Sequence, residues 1–213
     1  MPGIRNAHRA PPDRRFPIVN RFECLPLLAE MLEEHTLTVT SLSSNARIWA
    51  GVWDRGPTFA GLNMGLCIGF ALGLSLAFPH RKVVALESDG SMMEDTSVLI
   101  SVADANPTNL VILVFDNESY ARMGATATAR GADLVRMAQG AGIRSTGLVR
   151  TLPEYERAVR DALAKPGPTF LQIKVEAETA RVPDSRTTYG PAMKEQFLDR
   201  VLSHPDYRGW HGG

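Results

Sequence analysis

Short runs of apolar and β-branched residues alternate along the chain with longer stretches in which apolar positions recur at helical spacing. Each run has the composition of a buried strand, and the run at 110–116 is apolar up to its last residue, which is typical of a sheet covered on both faces. The predicted strands are TLTVTS (36–41), KVVALES (82–88), LVILVFD (110–116), STGLV (145–149) and PTFLQIKVE (168–176). Helices are predicted at 22–35, 59–78, 92–105, 132–142, 153–164 and 192–202, and an irregular stretch with three chain breakers is predicted at 43–58.

The order of these elements predicts an α/β fold. Strands that alternate with helices form a doubly wound, mostly parallel sheet with helices on both faces. We expect one domain at 20–178, preceded by a flexible arm at 1–19 and followed by a tail at 179–213 that contains a short helix. Ligands of such sheets bind beyond the carboxyl ends of the strands, so we expect any chemistry in the turns that follow strands.

The most apolar segment, Phe59 to Phe78, carries no charge over about the length that a membrane-spanning helix requires. Four of its glycines recur at every fourth position, the spacing found where membrane helices pair: Gly61, Gly65, Gly69 and Gly73. A membrane protein is therefore one alternative. We favour a helix buried in an α/β domain, because Asn63 and Ser75 interrupt the run and PHRK leads directly into the next strand.

Composition narrows the classes of function. The chain has 23 basic and 23 acidic residues and a formal net charge of zero, which argues against a nucleic-acid binder or a polybasic membrane protein. Its two cysteines, Cys24 and Cys67, form no CxxC pattern and cannot hold an iron–sulfur cluster alone. The first 17 residues lack the apolar stretch of a signal peptide. We therefore expect a cytoplasmic protein.

Two polar turns follow predicted neighbouring strands. SDGS (88–91) ends one strand, and DNESY (116–120) ends the next. The Asp89 carboxylate and the Asn117 amide oxygen would then meet at one sheet edge, where they suit a hard cation such as Mg²⁺. Gly90 and Ser91 precede a predicted helix, whose first backbone N–H groups can receive a phosphate. The pair of turns therefore predicts a combined metal and diphosphate site.

The two turns together resemble the motif of thiamine-diphosphate-dependent enzymes, in which Gly-Asp-Gly is followed by Asn-Asn or Asp-Asn after the next strand. The resemblance implies that Asp89, Asn117 and the backbone carbonyl of Ser119 bind Mg²⁺. It also implies that the Gly90 amide and Ser91 contact the diphosphate. Ser88 replaces the first glycine, which matters only if the position requires a positive φ.

A second segment, GLNMG (61–65), resembles the Gly-Ser-Met-Gly segment of the same enzymes. By that resemblance Met64 bends the cofactor, and the Leu62 carbonyl accepts a hydrogen bond from its aminopyrimidine. Tyr120 would lie over the diphosphate region, or it would anchor its own loop. Arg47 and Arg122 are candidates for binding an anionic substrate; Arg47 lies in NARIWA (45–50), which is similar to a Ser-Arg-Glu-Leu element of the family.

Within this family the chain resembles the small β subunit of sulfopyruvate decarboxylase and the matching half of phosphonopyruvate decarboxylase. That similarity implies that the chain is one subunit of a two-chain, hetero-oligomeric 2-oxo acid decarboxylase. This subunit would bind the diphosphate of thiamine diphosphate and Mg²⁺. A partner subunit would bind the aminopyrimidine and supply the catalytic glutamate. The acidic residues of this chain's first helix are predicted to form a solvated face and so to lack that role. They are Glu23, Glu30, Glu33 and Glu34.

Three alternatives remain within this interpretation. A carboligase of the acetolactate-synthase type carries the same motifs, and only the substrate pocket would distinguish it. The β subunit of a 2-oxo acid:ferredoxin oxidoreductase is disfavoured by the lack of cysteine clusters. A regulatory subunit that binds the cofactor without catalysis is favoured only by Ser88.

Overall fold

A computed structural model of the chain describes residues 18–42, 44–177 and 190–205. Residues 1–17 of the predicted arm at 1–19 therefore lie outside the described residues, as do 179–189 and 206–213 of the predicted tail.

Six strands form one sheet in which every neighbouring pair is parallel, and this confirms the predicted doubly wound fold. The strands are β1 (Leu37–Ser41), β2 (Thr58–Leu62), β3 (Val83–Ser88), β4 (Leu110–Asp116), β5 (Ser145–Val149) and β6 (Thr169–Lys174). Their order across the sheet is β2-β1-β3-β4-β6-β5. The central strands β3 and β4 are adjacent, with Ser88 opposite Phe115, so their carboxyl ends meet at one edge.

Helices cover both faces of the sheet. They are α1 (Arg21–Met31), α2 (Ser44–Val52), α3 (Cys67–Ala77), α4 (Asp89–Met92), α5 (Val98–Ala105), α6 (Leu134–Ala141), α7 (Leu152–Ala164) and α8 (Pro191–Leu202). Because side chains alternate along a strand, Val84 and Leu86 join a core with α1, α2 and α7. Val83 and Ala85 join a second core with α3, α5, α6 and α8 on the other face.

The prediction of an irregular stretch at 43–58 is wrong, because the structure contains α2 and the start of β2 there. Gly51 suggested a break, but it lies on the exposed side of α2, where a helix tolerates glycine at a modest cost. The opposite side of α2 carries the fully buried Trp49, whose Nε1 donates to Thr38 Oγ1 at 3.1 Å. Tertiary packing therefore stabilises this helix, although its glycine suggested a break.

The segment from 59 to 78 is also not one helix. Most of β2 occupies its beginning, a turn follows, and only α3 is helical. Gly65 in the turn has a φ of 82°, a left-handed conformation that favours glycine. Nor is α3 buried on all sides, since Leu66 and Leu76 at its two ends are more than half exposed. Within the described ranges, none of the helices has the length and hydropathy needed to cross a membrane.

The predicted helix at 92–105 is interrupted between α4 and α5. The interruption lies against the turn after β2, since a Cβ atom at Gly65 would come within 3.3 Å of the Cβ atoms of both Glu94 and Asp95. Ser97 Oγ donates to Asp95 Oδ1 at 2.5 Å, a local bond that competes with helical structure. The break therefore brings the segment containing Met64 next to the turn after β3.

The two ends of the described chain are fixed to the sheet. Val19 belongs to the predicted flexible arm, yet it is buried and its N–H donates to the Lys174 carbonyl at 3.0 Å. The predicted helix of the tail is confirmed as α8, and its Phe197 ring meets Phe59 of β2 edge-on at 5.4 Å between centroids.

Candidate functional site

The turns after β3 and β4 lie side by side at the carboxyl edge of the sheet. The pairing of Ser88 with Phe115 brings Asp89 next to Asp116, the residue before Asn117. Ser88 itself is extended, with φ −119° and ψ 155°. The position therefore does not require glycine, and the departure from the family's Gly-Asp-Gly motif is tolerated by the backbone.

Asp89 is buried, and its two carboxylate oxygens have different surroundings. Its Oδ2 accepts hydrogen bonds from Thr126 Oγ1 at 2.6 Å and from Thr128 Oγ1 at 3.2 Å. Its Oδ1 is buried and has no hydrogen-bond partner among the described residues. An unpaired buried carboxylate oxygen is costly, and a divalent cation satisfies it. This donor therefore fits the predicted Mg²⁺.

Asp116 is a second buried carboxylate at the same edge, and its charge is compensated within the chain. Lys174 Nζ and Gln172 Nε2 donate to its Oδ2 at 2.7 and 2.6 Å. The Glu118 N–H donates to its Oδ1 at 3.0 Å, and Thr128 Oγ1 lies 2.8 Å from the same oxygen, so Asp116 and Asp89 share the single hydroxyl proton of Thr128. Asp116 is thus saturated with donors, whereas Asp89 keeps one oxygen available.

Burial, and then the neighbouring charge of Asp116, raise the pKa of Asp89 from its ordinary 3.8 to about 6. Partial burial lowers the pKa of the Lys174 ammonium, but Asp116 and Glu118 outweigh this effect and raise it overall. Asp116 therefore has a permanently charged partner in Lys174. Asp89 has hydroxyl donors and the Gly90 N–H but no such cationic partner among the described residues, so a cation at Oδ1 would stabilise its ionised form.

This pKa predicts how the metal-free chain responds to pH. Between pH 4 and pH 6 the folded state retains a proton at Asp89 that the unfolded state has lost, so stability should fall as the pH rises. The pKa change from 3.8 to about 6 corresponds to about 3 kcal/mol. Asp89→Asn should remove this part of the pH dependence and be more stable than the original chain at pH 7. Urea unfolding of both proteins from pH 4 to 7 without metal measures how the free energy of unfolding changes with pH. Equal slopes for the two proteins would contradict the raised pKa of Asp89.

The turn after β4 contains Asn117 and Ser119, the other two predicted metal ligands. Asn117 Oδ1 accepts the Ser119 N–H at 3.1 Å, and Ser119 forms an antiparallel bridge with Ala125. Glu118 and Ala121 take positive φ values of 61° and 55°, which are unusual for residues with side chains. Such backbone conformations persist when their surroundings impose them, and they often occur at ligand sites.

Tyr120 lies against the turn after β3. A Cβ atom at Gly90 would come within 2.5 Å of its ring, so the ring occupies the space that a side chain would need. Gly90 is therefore required for this close approach, and any larger residue must displace Tyr120. The expected role of Tyr120 over a diphosphate stays a prediction.

The segment predicted to bend the cofactor joins the same site. Met64 lies in the turn between β2 and α3 rather than on a helix, and it is 37% exposed. The N–H of the adjacent Gly65 donates to Ser91 Oγ at 3.2 Å. The Leu62 carbonyl accepts the Leu42 N–H at 2.6 Å, which leaves its second lone pair for the predicted aminopyrimidine contact.

The two arginine candidates lie on different elements. Arg47 is exposed on α2. Arg122 belongs to the short 3₁₀ turn Ala121–Met123, and its side chain lies outside the described atoms. The substrate roles of Arg47 and Arg122 remain predictions.

The sequence did not identify the residues that orient Asp89. Thr126 and Thr128 lie in the loop ATATAR, which has no periodicity that marks its hydroxyls as functional. Lys174 ends β6, and nothing in the sequence pairs it with Asp116. In the sequence pattern, the Asp-Asn pair at 116–117 was the one signal that marked this part of the site. Among the described residues no group of three or more His, Cys, Asp or Glu could hold a metal, so the candidate site depends on amide and carbonyl oxygens as well.

Comparisons with known proteins agree with this arrangement. The family model described as "Thiamine pyrophosphate enzyme, C-terminal TPP binding domain" matches residues 57–173. The β subunit of sulfopyruvate decarboxylase from Methanothermobacter thermautotrophicus is 29% identical over 167 residues, covering 78% of this chain and 87% of that subunit. Phosphonopyruvate decarboxylase from Streptomyces viridochromogenes is 31% identical over 151 residues, covering 70% of this chain and 38% of that enzyme.

A solved structure shows the same fold. The thiamine diphosphate-dependent 4-hydroxybenzoylformate decarboxylase of Rhodococcus jostii RHA1 superposes with a TM-score of 0.66 at 22% identity. The match covers 76% of this chain but 33% of that enzyme, so the chain spans about one third of the solved structure's length.

Proposed function

The chain belongs to the thiamine pyrophosphate enzymes through their C-terminal TPP-binding domain, and from this premise we propose that it is the diphosphate- and metal-binding subunit of a two-chain 2-oxo acid decarboxylase. Its cofactors are thiamine diphosphate and Mg²⁺. Its relatives are named as sulfopyruvate decarboxylase β subunits and phosphonopyruvate decarboxylases. The substrate class is therefore a 2-oxo acid with a sulfonate or phosphonate tail.

The observation that carries this function is the unpaired, buried Oδ1 of Asp89 beside the turn after β4. We propose that Asp89, the Asn117 side chain and the Ser119 carbonyl bind the metal ion. The Gly90 amide and Ser91 contact the diphosphate. Thr126 and Thr128 hold Asp89 through Oδ2, so that Oδ1 is presented to the cation without reorientation.

The chain's other contribution is to orient the cofactor. When bound, thiamine diphosphate supplies a sink for the electrons that a departing carboxylate leaves behind. Met64 would contact the cofactor from its turn, and the Leu62 carbonyl would accept a hydrogen bond from the aminopyrimidine. Tyr120 lies over Gly90 and excludes water from the diphosphate side. Arg47 is the first candidate for binding the anionic tail of the substrate.

A partner subunit completes the site in this proposal. It binds the aminopyrimidine and supplies the glutamate that activates the cofactor, because the glutamates of α1 and the turn after it are solvent-exposed. Its docking surface is the outer face of α3, which begins beside Met64. That face is apolar and glycine-lined, and it comprises Leu66, Gly69, Gly73 and Leu76, all exposed. A second backbone can approach closely there.

Reconstitution tests this function. The chain and the protein encoded beside it in its genome are purified separately, mixed, and supplied with thiamine diphosphate, Mg²⁺ and sulfopyruvate or phosphonopyruvate. We expect CO₂ release that requires both chains, because neither alone holds the metal site and the glutamate together. Each chain alone, and the mixture without Mg²⁺, are the controls. Cofactor binding with formation of a carboligation product in place of the aldehyde would overturn the decarboxylase assignment while leaving the cofactor site intact, because carboligation also releases CO₂.

A further inference from the structure

Lys174 lies at the end of β6, beside the turn that follows β4. It is the direct partner of Asp116 across the two strands, and its side chain is 14% exposed. Its Nζ donates to Asp116 Oδ2 and to Glu118 Oε1, both at 2.7 Å. Compensation of the buried Asp116 charge requires only the first of these bonds. The second bond joins the end of β6 to the turn itself.

Glu118 has a backbone conformation that its residue type does not favour. Its φ is 61°, in the left-handed region that glycine, asparagine and aspartate adopt more readily. Its N–H donates to Asp116 Oδ1 at 3.0 Å, and its carbonyl accepts the Thr126 N–H at 3.1 Å. A residue in such a conformation persists when its surroundings determine it. The contacts with Asp116, Thr126 and Lys174 therefore hold Glu118 in place.

Glu118 stands between the two proposed metal ligands of this turn. Asn117 precedes it and Ser119 follows it. The peptide planes are rigid, so the two dihedral angles of Glu118 set the direction of the Ser119 carbonyl relative to Asn117. A change of Glu118 to a negative φ would move these two oxygen donors relative to each other. Whatever holds Glu118 therefore also sets the spacing of the proposed ligands.

Asp116 carries the same influence to the turn after β3. Lys174 Nζ and Gln172 Nε2 hold its Oδ2 at 2.7 and 2.6 Å. Its Oδ1 is thereby directed to Thr128 Oγ1 at 2.8 Å, and the same hydroxyl lies 3.2 Å from Asp89 Oδ2. The contacts of Lys174 thus lead by hydrogen bonds to both turns of the site.

We propose that Lys174 is a positioning residue that holds Glu118 in its left-handed conformation and thereby places the Asn117 side chain and the Ser119 carbonyl for the metal ion. Lys174 acts through Asp116 and Glu118, since a charged ammonium has no lone pair with which to bind a cation. We call Lys174, Asp116 and Glu118 the lysine clamp. The clamp is present in the metal-free chain, so only its consequence for metal binding rests on the proposed function.

The first experiment measures the lysine clamp without metal or cofactor. Amide hydrogen exchange of the full chain is followed by NMR at the Glu118 and Thr126 N–H groups, whose bonds depend on the conformation of Glu118. Lys174→Met keeps the length of the side chain and removes its charge, and both amides should exchange about tenfold faster in this variant. The Val175 N–H donates to the Asp116 carbonyl at 3.0 Å in the strand pairing and should change by less than about twofold.

Two variants of Glu118 separate the clamp from general stability. Glu118→Ala removes only the bond to Lys174, so it should reproduce the fast exchange of the Thr126 amide even if Lys174→Met does not fold. Glu118→Gln keeps an acceptor oxygen and should stay within about twofold of the original chain. Equal acceleration of the Thr126 and Val175 amides would show that Lys174 only stabilises the sheet, and it would overturn the proposal. Unchanged exchange of Thr126 in Lys174→Met and in Glu118→Ala would do the same.

The second experiment measures the consequence for the metal. Mn²⁺ is titrated in place of Mg²⁺ at saturating thiamine diphosphate, and the bound ion is followed by electron paramagnetic resonance. Loss of a residue that supports a metal ligand costs about 10–100-fold in metal affinity, so the dissociation constant should rise about tenfold or more in Lys174→Met and Glu118→Ala. Glu118→Gln should restore the original value within about twofold.

Lys165→Met is the matched control for the lost charge. Lys165 is exposed at the end of α7 and pairs with Asp161 at 2.9 Å, so its removal should leave Mn²⁺ binding unchanged. Equal dissociation constants in Lys174→Met and Lys165→Met would overturn the positioning role. Failure of the original chain to bind Mn²⁺ with thiamine diphosphate would instead contradict the proposed function, while the exchange of the Thr126 amide would still decide whether the lysine clamp holds the turn.

Discussion

Asp89→Ala is expected to abolish the Mg²⁺-dependent binding of thiamine diphosphate. The variant removes Asp89 Oδ1, a buried carboxylate oxygen that has no partner within the described chain. Loss of a residue that only supports a metal ligand costs 10–100-fold in metal affinity, so loss of a direct ligand should cost about 100-fold or more. Isothermal titration of thiamine diphosphate at saturating Mg²⁺ measures the effect.

Two further variants make this result interpretable. Asp104→Ala removes an exposed carboxylate at the end of α5 and should bind the cofactor like the original chain. Asp89→Asn keeps an oxygen at the same place but loses the charge, and it should bind the metal weakly while folding more stably at pH 7. Loss of binding together with gain of stability is characteristic of a functional carboxylate held at an energetic cost. Retention of cofactor affinity in Asp89→Ala would show that the metal ligands are assigned wrongly.

Gly73→Arg is expected to prevent assembly with the partner subunit and to reduce the reconstituted activity about 100-fold or more, since a buried interfacial charge without a counter-ion costs several kcal/mol. The free chain should tolerate the change. Gly73 is exposed on α3, and a Cβ atom there meets nothing within 4 Å. Arginine also has a higher helix propensity than glycine. The defect should therefore concern the interface and leave the fold unchanged.

Gly140→Arg provides the matched control for this surface. Gly140 is likewise exposed within a helix, α6, and a Cβ atom there also meets nothing within 4 Å. Sedimentation of the mixed subunits should show a complex with Gly140→Arg and separate chains with Gly73→Arg. Normal assembly and activity of Gly73→Arg would place the partner on another surface and leave the cofactor site unaffected.

Much of the fold follows from local sequence patterns. Continuous apolar runs predicted β3 and β4, because strands covered on both faces carry no polar alternation. The helices predicted at 59–78 and 92–105 are longer than the observed helices. Each segment is interrupted where it packs against the other. The turn at Gly65 lies against Glu94 and Asp95, and such a long-range contact leaves no periodic signal in either segment.

The candidate site was predicted only in part, for a related reason. Asp89 and Asn117 are recognisable because their turns follow strands at a shared edge. The groups that orient Asp89 are Thr126 and Thr128, and the cation that compensates Asp116 is Lys174; all three come from elements distant in the chain. Their contribution depends on tertiary geometry, which residue type and spacing do not encode.

The central claim is that one divalent cation bridges the turns after β3 and β4 and holds the diphosphate of the cofactor. The most direct measurement is a crystal structure of the chain with thiamine diphosphate and Mn²⁺ in place of Mg²⁺, with anomalous scattering recorded at the manganese edge. The account predicts a single strong peak bonded to Asp89 Oδ1, Asn117 Oδ1, the Ser119 carbonyl and diphosphate oxygens. A peak that is bound elsewhere on the chain, or cofactor present without metal at Asp89, would contradict it.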